Sequence, residues 1–328
     1  MAARGTAKVL QKLEKSVSDG NYYEAHQMYR TVANRHVKAH NYASAIELLH
    51  SGAMLLLKHK QAGSGADLSL YLVEVYNLDK VPVTEESRDR IFDLAELMES
   101  TNSQRRTFLQ SAISWSANHG EYKNGDPLLQ HYVGLLFWKE KDYGQAEAHL
   151  LVGTQESAEA LGFVLFEWSE QEPSHDKGAY LLRGVLQELA QMNLRDANTV
   201  YKTFVERLPA SYLASEQKLP SGSKKTKSTI QTFKSSLLNL TQILLLACET
   251  GDPMTYKQIT ARYKGVMSMD ENFGALITTI GELFFGVQAP RQANMLADLM
   301  SSLFAGPPSA SPRPSIGSGS QPVIEEMD

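Results

Sequence analysis

The chain has 328 residues, 42% of them hydrophobic and 21% charged, a globular balance that excludes wholesale disorder and allows a sizeable buried core. Its formal net charge of −5 gives no basic stripe for duplex nucleic acid, and its longest apolar runs fall well short of the roughly 20 residues that span a bilayer. A lone cysteine, Cys248, excludes an internal disulfide and a multi-thiolate metal site, which fits a reducing, cytosolic compartment.

From the N-terminus, Asn21-Tyr22-Tyr23-Glu24-Ala25 predicts a helix start, with a polar capping residue, a Tyr, and Ala one turn inside. The pattern returns at Asn41-Tyr42-Ala43-Ser44-Ala45 and Asp142-Tyr143-Gly144-Gln145-Ala146, and more weakly at Asn193-Leu194-Arg195-Asp196-Ala197. Asn or Asp can satisfy the orphan amides of a first helical turn, and Ala lets a neighbouring helix come close. Between these signals, Leu68, Leu72, Val75 and Tyr76, and again Ile91, Leu94, Ala95 and Met98, recur at helical spacing. In the first 200 residues Pro occurs only at positions 82, 127 and 173, each where a helical pattern breaks. No segment alternates like a strand.

The first two copies stand 20 residues apart, room for one helix of about 16 residues and a short connection, so a helical hairpin takes about 40. These features predict an all-α fold, a right-handed alpha-solenoid of stacked helical hairpins, tetratricopeptide-like, with a compact helical bundle as the alternative. Residues 1–150 form its N-terminal half and 151–305 its C-terminal half. The polar, Lys-rich stretch 214–229 reads as an exposed insertion, and the Ser/Pro-rich, acid-ended segment 306–328 as a disordered tail.

Charge is uneven along the chain. Residues 1–40 carry seven Lys or Arg against three acids, and residues 270–328 carry two against seven, so the two ends should attract different surfaces. Catalytic patterns are missing. Gly63-Ser64-Gly65 lacks the lysine and the preceding strand of a phosphate-binding loop, and no His-Glu-x-x-His or cysteine cluster gathers any of the nine histidines into a metal site. His26 and His149 fit helix packing or exposure, and Cys248, inside an apolar run, fits a packed core thiol. No enzyme, cofactor or metal is expected. A stacked helical surface suits a protein-binding scaffold.

Longer segments point to a family. Gly20 to Thr31, Ala33-Asn34-Arg35, Ser51-Gly52-Ala53, Gly63 to Leu68, Ala112-Ile113-Ser114-Trp115-Ser116 and Gly281-Glu282-Leu283-Phe284-Phe285-Gly286-Val287 resemble, in order, segments of the Golgi-to-ER traffic protein 4 family. The resemblance covers residues 8 to about 305. It implies an adaptor in the post-translational targeting of tail-anchored membrane proteins to the endoplasmic reticulum, not itself inserted in the membrane. By that resemblance the N-terminal half docks on a targeting ATPase dimer and the C-terminal half holds a ubiquitin-like adaptor protein that recruits an upstream co-chaperone. In animals the family also joins a large Bag-type scaffold.

On this basis Tyr22, Tyr23, Arg30, Arg35 and Asp67 are expected in or beneath the ATPase contact, with the two tyrosines divided between core and surface. Phe284 and Phe285, followed by Leu296, Leu299, Met300, Leu303 and Phe304 at helical spacing, are expected to hold the ubiquitin-like partner. The alternatives are a tetratricopeptide-like co-chaperone that clamps acidic peptides, a regulatory scaffold of another assembly, and an unrecognised enzyme with its site in the solenoid groove.

Overall fold

The computed structural model describes residues 13, 15–218, 229–267 and 271–287. A helical turn that buries Leu13 and Val17 leads into α1 (Tyr22–Lys38), α2 (Tyr42–Lys58), α3 (Ala62–Asp79), α4 (Glu85–Leu97) and α5 (Ser103–His119). These are followed by α6 (Pro127–Lys139), α7 (Tyr143–Leu150), α8 (Gln155–Gln171), α9 (Lys177–Ala190) and α10 (Leu194–Val205). After a 3-10 turn come the strands β1 (Leu213–Lys218) and β2 (Thr229–Phe233), then α11 (Ser236–Thr250), α12 (Pro253–Arg262), α13 (Lys264–Met267) and α14 (Glu271–Phe285).

The recurring sequence pattern is a turn-and-cap device. A residue with left-handed backbone, at Gly20 (φ 82°), His40 (55°), Lys60 (61°), Lys141 (63°) and Met192 (61°), reverses the chain just before a capping residue. The caps are Asn21, Asn41, Gln61, Asp142 and Asn193. Asn41 and Asp142 accept from the backbone N–H of Ser44 (3.4 Å) and Gln145 (3.3 Å). One turn inside, Ala25, Ala45, Ala146 and Ala197 are fully buried. Gln61-Ala62-Gly63-Ser64-Gly65 is a further copy hidden by a glycine in the alanine position. A Cβ at Gly65 would stand 2.5 Å from Leu57 Cγ and 3.2 Å from the Leu57 backbone N, so α2 and α3 touch more closely than Ala allows.

Packing follows the order of the chain. Most helices lie against their successor and many against the one after: α1 on α2 and α3, α2 on α3 and α4, α3 on α5, α8 on α9 and α10, α9 on α10 and α11. That is the contact scheme of a right-handed alpha-solenoid, and one continuous core runs through it from Leu13 to Phe285. Side chains also reach one hairpin back. Asn102 Nδ2 donates to the Ala62 carbonyl (3.2 Å), Tyr132 Oη to that of Phe92 (3.4 Å), and Gln191 Nε2 to that of Leu151 (3.4 Å), each spanning 40 residues. Trp115, fully buried, lies against Tyr76 and donates its Nε1 to the Val81 carbonyl (3.0 Å). The last described helix departs from the scheme, since α14 packs back on α9.

The expected lack of strands needs correction. β1 and β2 pair antiparallel, with a register shift between Leu213 and Ser215. Asn239 of α11 pins the second strand, accepting from Phe233 N (2.9 Å) and donating to Phe233 O (2.8 Å). Backbone pairing and this side-chain clamp override a polar, weakly alternating sequence. The expected tail, 306–328, lies outside the described residues.

Two buried carboxylates sit mid-chain. Glu147 of α7, 2% exposed, is held by Arg183 of α9, which donates through Nε to both oxygens at 2.9 Å, and by Gln187 (2.8 Å). Glu188, also 2% exposed, leaves Oε2 without a hydrogen-bond partner, while neighbouring Asp196 is bonded by Arg195 and Asn193. Burial, reinforced by the Asp196 carboxylate, pushes Glu188 up to about 8.

Two predictions follow from this packing. Gly65→Ala destabilises the chain by about 1–3 kcal/mol in urea unfolding, because Leu57 must move. Glu188 stays protonated in the folded chain while an ordinary carboxyl of 4.5 ionises on unfolding, so its contribution is complete below pH 4.5 and is lost as pH rises to about 8. Glu188→Gln should therefore match the parent at pH 4.5 and exceed it by on the order of 4 kcal/mol at pH 8, read from melting curves.

Candidate protein-docking surfaces

At the N-terminal end, α1 buries Ala25, Tyr29 and Ala33. The Tyr29 ring lies flat over Gly52 of α2, where a Cβ would stand 2.6 Å from Tyr29 Cδ1. This contact fixes the rotation of α1 and turns the stripe Tyr22, His26 and Arg30, spaced four residues apart, toward α2 and α3. Tyr22 meets His59 at the end of α2, with Oη 3.4 Å from Nδ1 and ring centroids 5.6 Å apart. His26 Nε2 is 2.8 Å from Asp67 Oδ2 of α3, and Arg30 Nη1 donates to both Asp67 oxygens at 2.5 and 2.7 Å. The Arg30 guanidinium carbon also stands 5.6 Å from the Tyr71 ring centroid.

The structure thus brings Tyr22, Arg30 and Asp67 onto one seam and adds His26, His59 and Tyr71, which the sequence alone did not mark. A separation of 37 residues for Arg30–Asp67 and 41 for His26–Asp67 is one hairpin, so the repeat period was the signal that could have found them. Tyr23, one position round, is 76% exposed, and Tyr22 is half-buried, the division expected for the pair. Arg35 is exposed and makes no ion pair among the described residues; five positions past Arg30, it points about 140° away round the helix. Arg30 and Asp67 retain 47% and 32% side-chain exposure, so their mutual attraction is worth only about 0–1 kcal/mol. Their effect is to hold a guanidinium in place at the surface.

The C-terminal surface is built on Tyr256 of α12. Its hydroxyl donates to the Ile277 carbonyl (2.8 Å), and its ring packs on Gly281, where a Cβ would lie 2.6 Å from Tyr256 Cζ. Phe285 stacks on the same ring, with centroids 4.7 Å apart and planes at 22°, and is 5% exposed. Phe285 is therefore part of the core, whereas Phe284 is half-buried and Leu283 is 43% exposed. Leu296, Leu299, Met300, Leu303 and Phe304 lie outside the described residues.

Chemistry is sparse. Among the described residues no group of three or more His, Cys, Asp or Glu is arranged to hold a metal ion, and no helix is long and apolar enough to cross a membrane. Cys248 is buried, and that burial, with the Glu249 charge adding to it, pushes its thiol up to about 12, far from a nucleophilic thiolate. In equilibrium unfolding, Phe285→Ala should cost about 3–5 kcal/mol, while Leu283→Ser should stay within about 0.5 kcal/mol of the parent.

A model of the Golgi to ER traffic protein 4 family matches residues 39–304. Golgi to ER traffic protein 4 of Aspergillus fumigatus is 34% identical over 314 residues, covering 91% of this chain and 90% of that protein. The human Golgi to ER traffic protein 4 homolog is 31% identical over 300 residues, covering 91% and 86%. The crystal structure of C. therm. Get4 superposes with a TM-score of 0.80 at 33% identity, covering 95% of this chain and all of the other. The chain belongs to the Golgi to ER traffic protein 4 family.

Proposed function

We propose that this chain is a cytosolic adaptor in the delivery of tail-anchored membrane proteins to the endoplasmic reticulum, acting by binding and not by catalysis. Its N-terminal half, residues 1–150, docks on a targeting ATPase dimer through the surface of α1 and α3. Its C-terminal half, residues 151–305, holds a ubiquitin-like protein that recruits the upstream co-chaperone, with Leu283, Phe284 and the 296–304 segment supplying the apolar contact. A bridge of this kind works by raising the effective concentration of cargo donor and ATPase for each other. The observation that carries the reading is the likeness to the family across nine-tenths of the chain, together with a helical stack whose faces are open to other proteins.

Within the N-terminal surface, Arg35 and Arg30 have different roles. Arg30 is already tethered to Asp67, so it contributes a fixed donor plane, whereas Arg35 offers an unneutralised charge for an acidic ATPase surface. Both are exposed enough to be replaced without unfolding the chain. In a pull-down with the ATPase dimer, the double variant Arg30→Glu/Arg35→Glu should lose capture by at least tenfold with its melting temperature kept, which is about 1.4 kcal/mol or more of binding. Unchanged capture would refute the assignment of α1 to the ATPase contact.

A further inference from the structure

Arginine in this protein is mostly committed within the chain. Seven of the described arginines pair with a carboxylate, and Arg207 lies 3.6 Å above the Phe163 ring. Two have no such partner among the described residues, Arg35 on α1 and Arg262 at the end of α12. Arg262 lines a cleft of about 370 Å³ together with Lys234, Ser236, Asn239 and Tyr263, and no described Asp or Glu lines it.

The electrostatics of this cleft are unbalanced. A cation at the C-terminal end of α12 is favoured by the helix dipole, which accounts for Arg262. Lys234 has no such account. It directly precedes the N-cap of α11, Ser235, where the dipole disfavours positive charge. The Asp176 carboxylate that reaches the Ser235 hydroxyl (2.7 Å) is also committed to the Gly178 amide (2.9 Å). The wall is fixed, since the Lys234 amide donates to the Tyr212 carbonyl (2.9 Å) and the Asn239 carboxamide is held by Phe233 through both its oxygen and its nitrogen. Lys234, Arg262 and the N-terminal turn of a 15-residue helix therefore line one cleft, and no described Asp or Glu lines it with them.

We propose that this cleft receives carboxylate side chains from an acidic segment of a partner protein. Guanidinium and ammonium groups from separate elements suit two successive carboxylates, and a polar, open cleft suits a peptide better than a small apolar ligand. The proposal stands apart from the identity of the C-terminal partner, because its test uses only this chain and a probe peptide. In fluorescence anisotropy at low salt, labelled hexaglutamate should bind the full chain and hexaglutamine should not. Lys234→Gln/Arg262→Gln should weaken hexaglutamate at least tenfold with an unchanged melting temperature, while Lys123→Gln, on a distant exposed loop, should stay within twofold. Equal affinity in the double variant, or an equal loss in Lys123→Gln, would overturn the site. Displacement of the probe by inorganic phosphate at concentrations where acetate has no effect would overturn the assignment to carboxylates.

Discussion

The structure depends on helices approaching one another closely at a fixed point, one turn inside the start of each helix that carries the recurring pattern. Ala25, Ala45, Ala146 and Ala197 are buried there without exposure, and Gly65 takes the same place where even a methyl group would strike Leu57. The left-handed residue that precedes each cap serves the same end by reversing the chain in very few residues. His40, Lys60, Lys141 and Met192 adopt that backbone without being glycine, at a cost on the order of 1 kcal/mol each. The packing that follows offsets that cost, and the turn geometry keeps successive hairpins in register.

Polar contacts then repeat the register one hairpin along. Lys60–Glu99, Arg88–Asp126, Arg106–Asp142 and Glu147–Arg183 each join residues between 36 and 39 positions apart, the same step that separates Arg30 from Asp67. The exposed pairs among these are of little worth to stability. Asp126 and Glu147 differ because they are buried, so Arg88 and Arg183 are required to neutralise them. The N-terminal seam of Arg30 and Asp67 is thus one instance of a general stitch, distinguished by the two histidines and the tyrosines that gather round it.

The helical repeat was legible because its signals are local: a cap, an aromatic and a small residue recur in short windows, and each copy proved to start a helix. The copy at Gln61 escaped because glycine is read as a breaker, although here it marks a close contact between helices. The strand pair escaped because its stability comes from backbone bonds and from Asn239, neither of which leaves an alternating pattern. At the candidate sites, Tyr22, Arg30 and Asp67 were legible as a group only through family resemblance, since contacts 37 to 41 residues apart have no local signature. Phe285 looked like Phe284 in sequence, and only the ring of Tyr256 separates their roles.

Contacts confined to near neighbours make most of the stack behave like a chain of coupled links. Strain applied at α1 is passed on one hairpin at a time and is attenuated along the way. The return of α14 onto α9 breaks that pattern, because it ties the end of the described chain to its middle and closes a loop of helices. The molecule therefore joins a compliant section to a stiffer one. The first is held by contacts between near neighbours alone, and the second by contacts that also join helices distant in the chain.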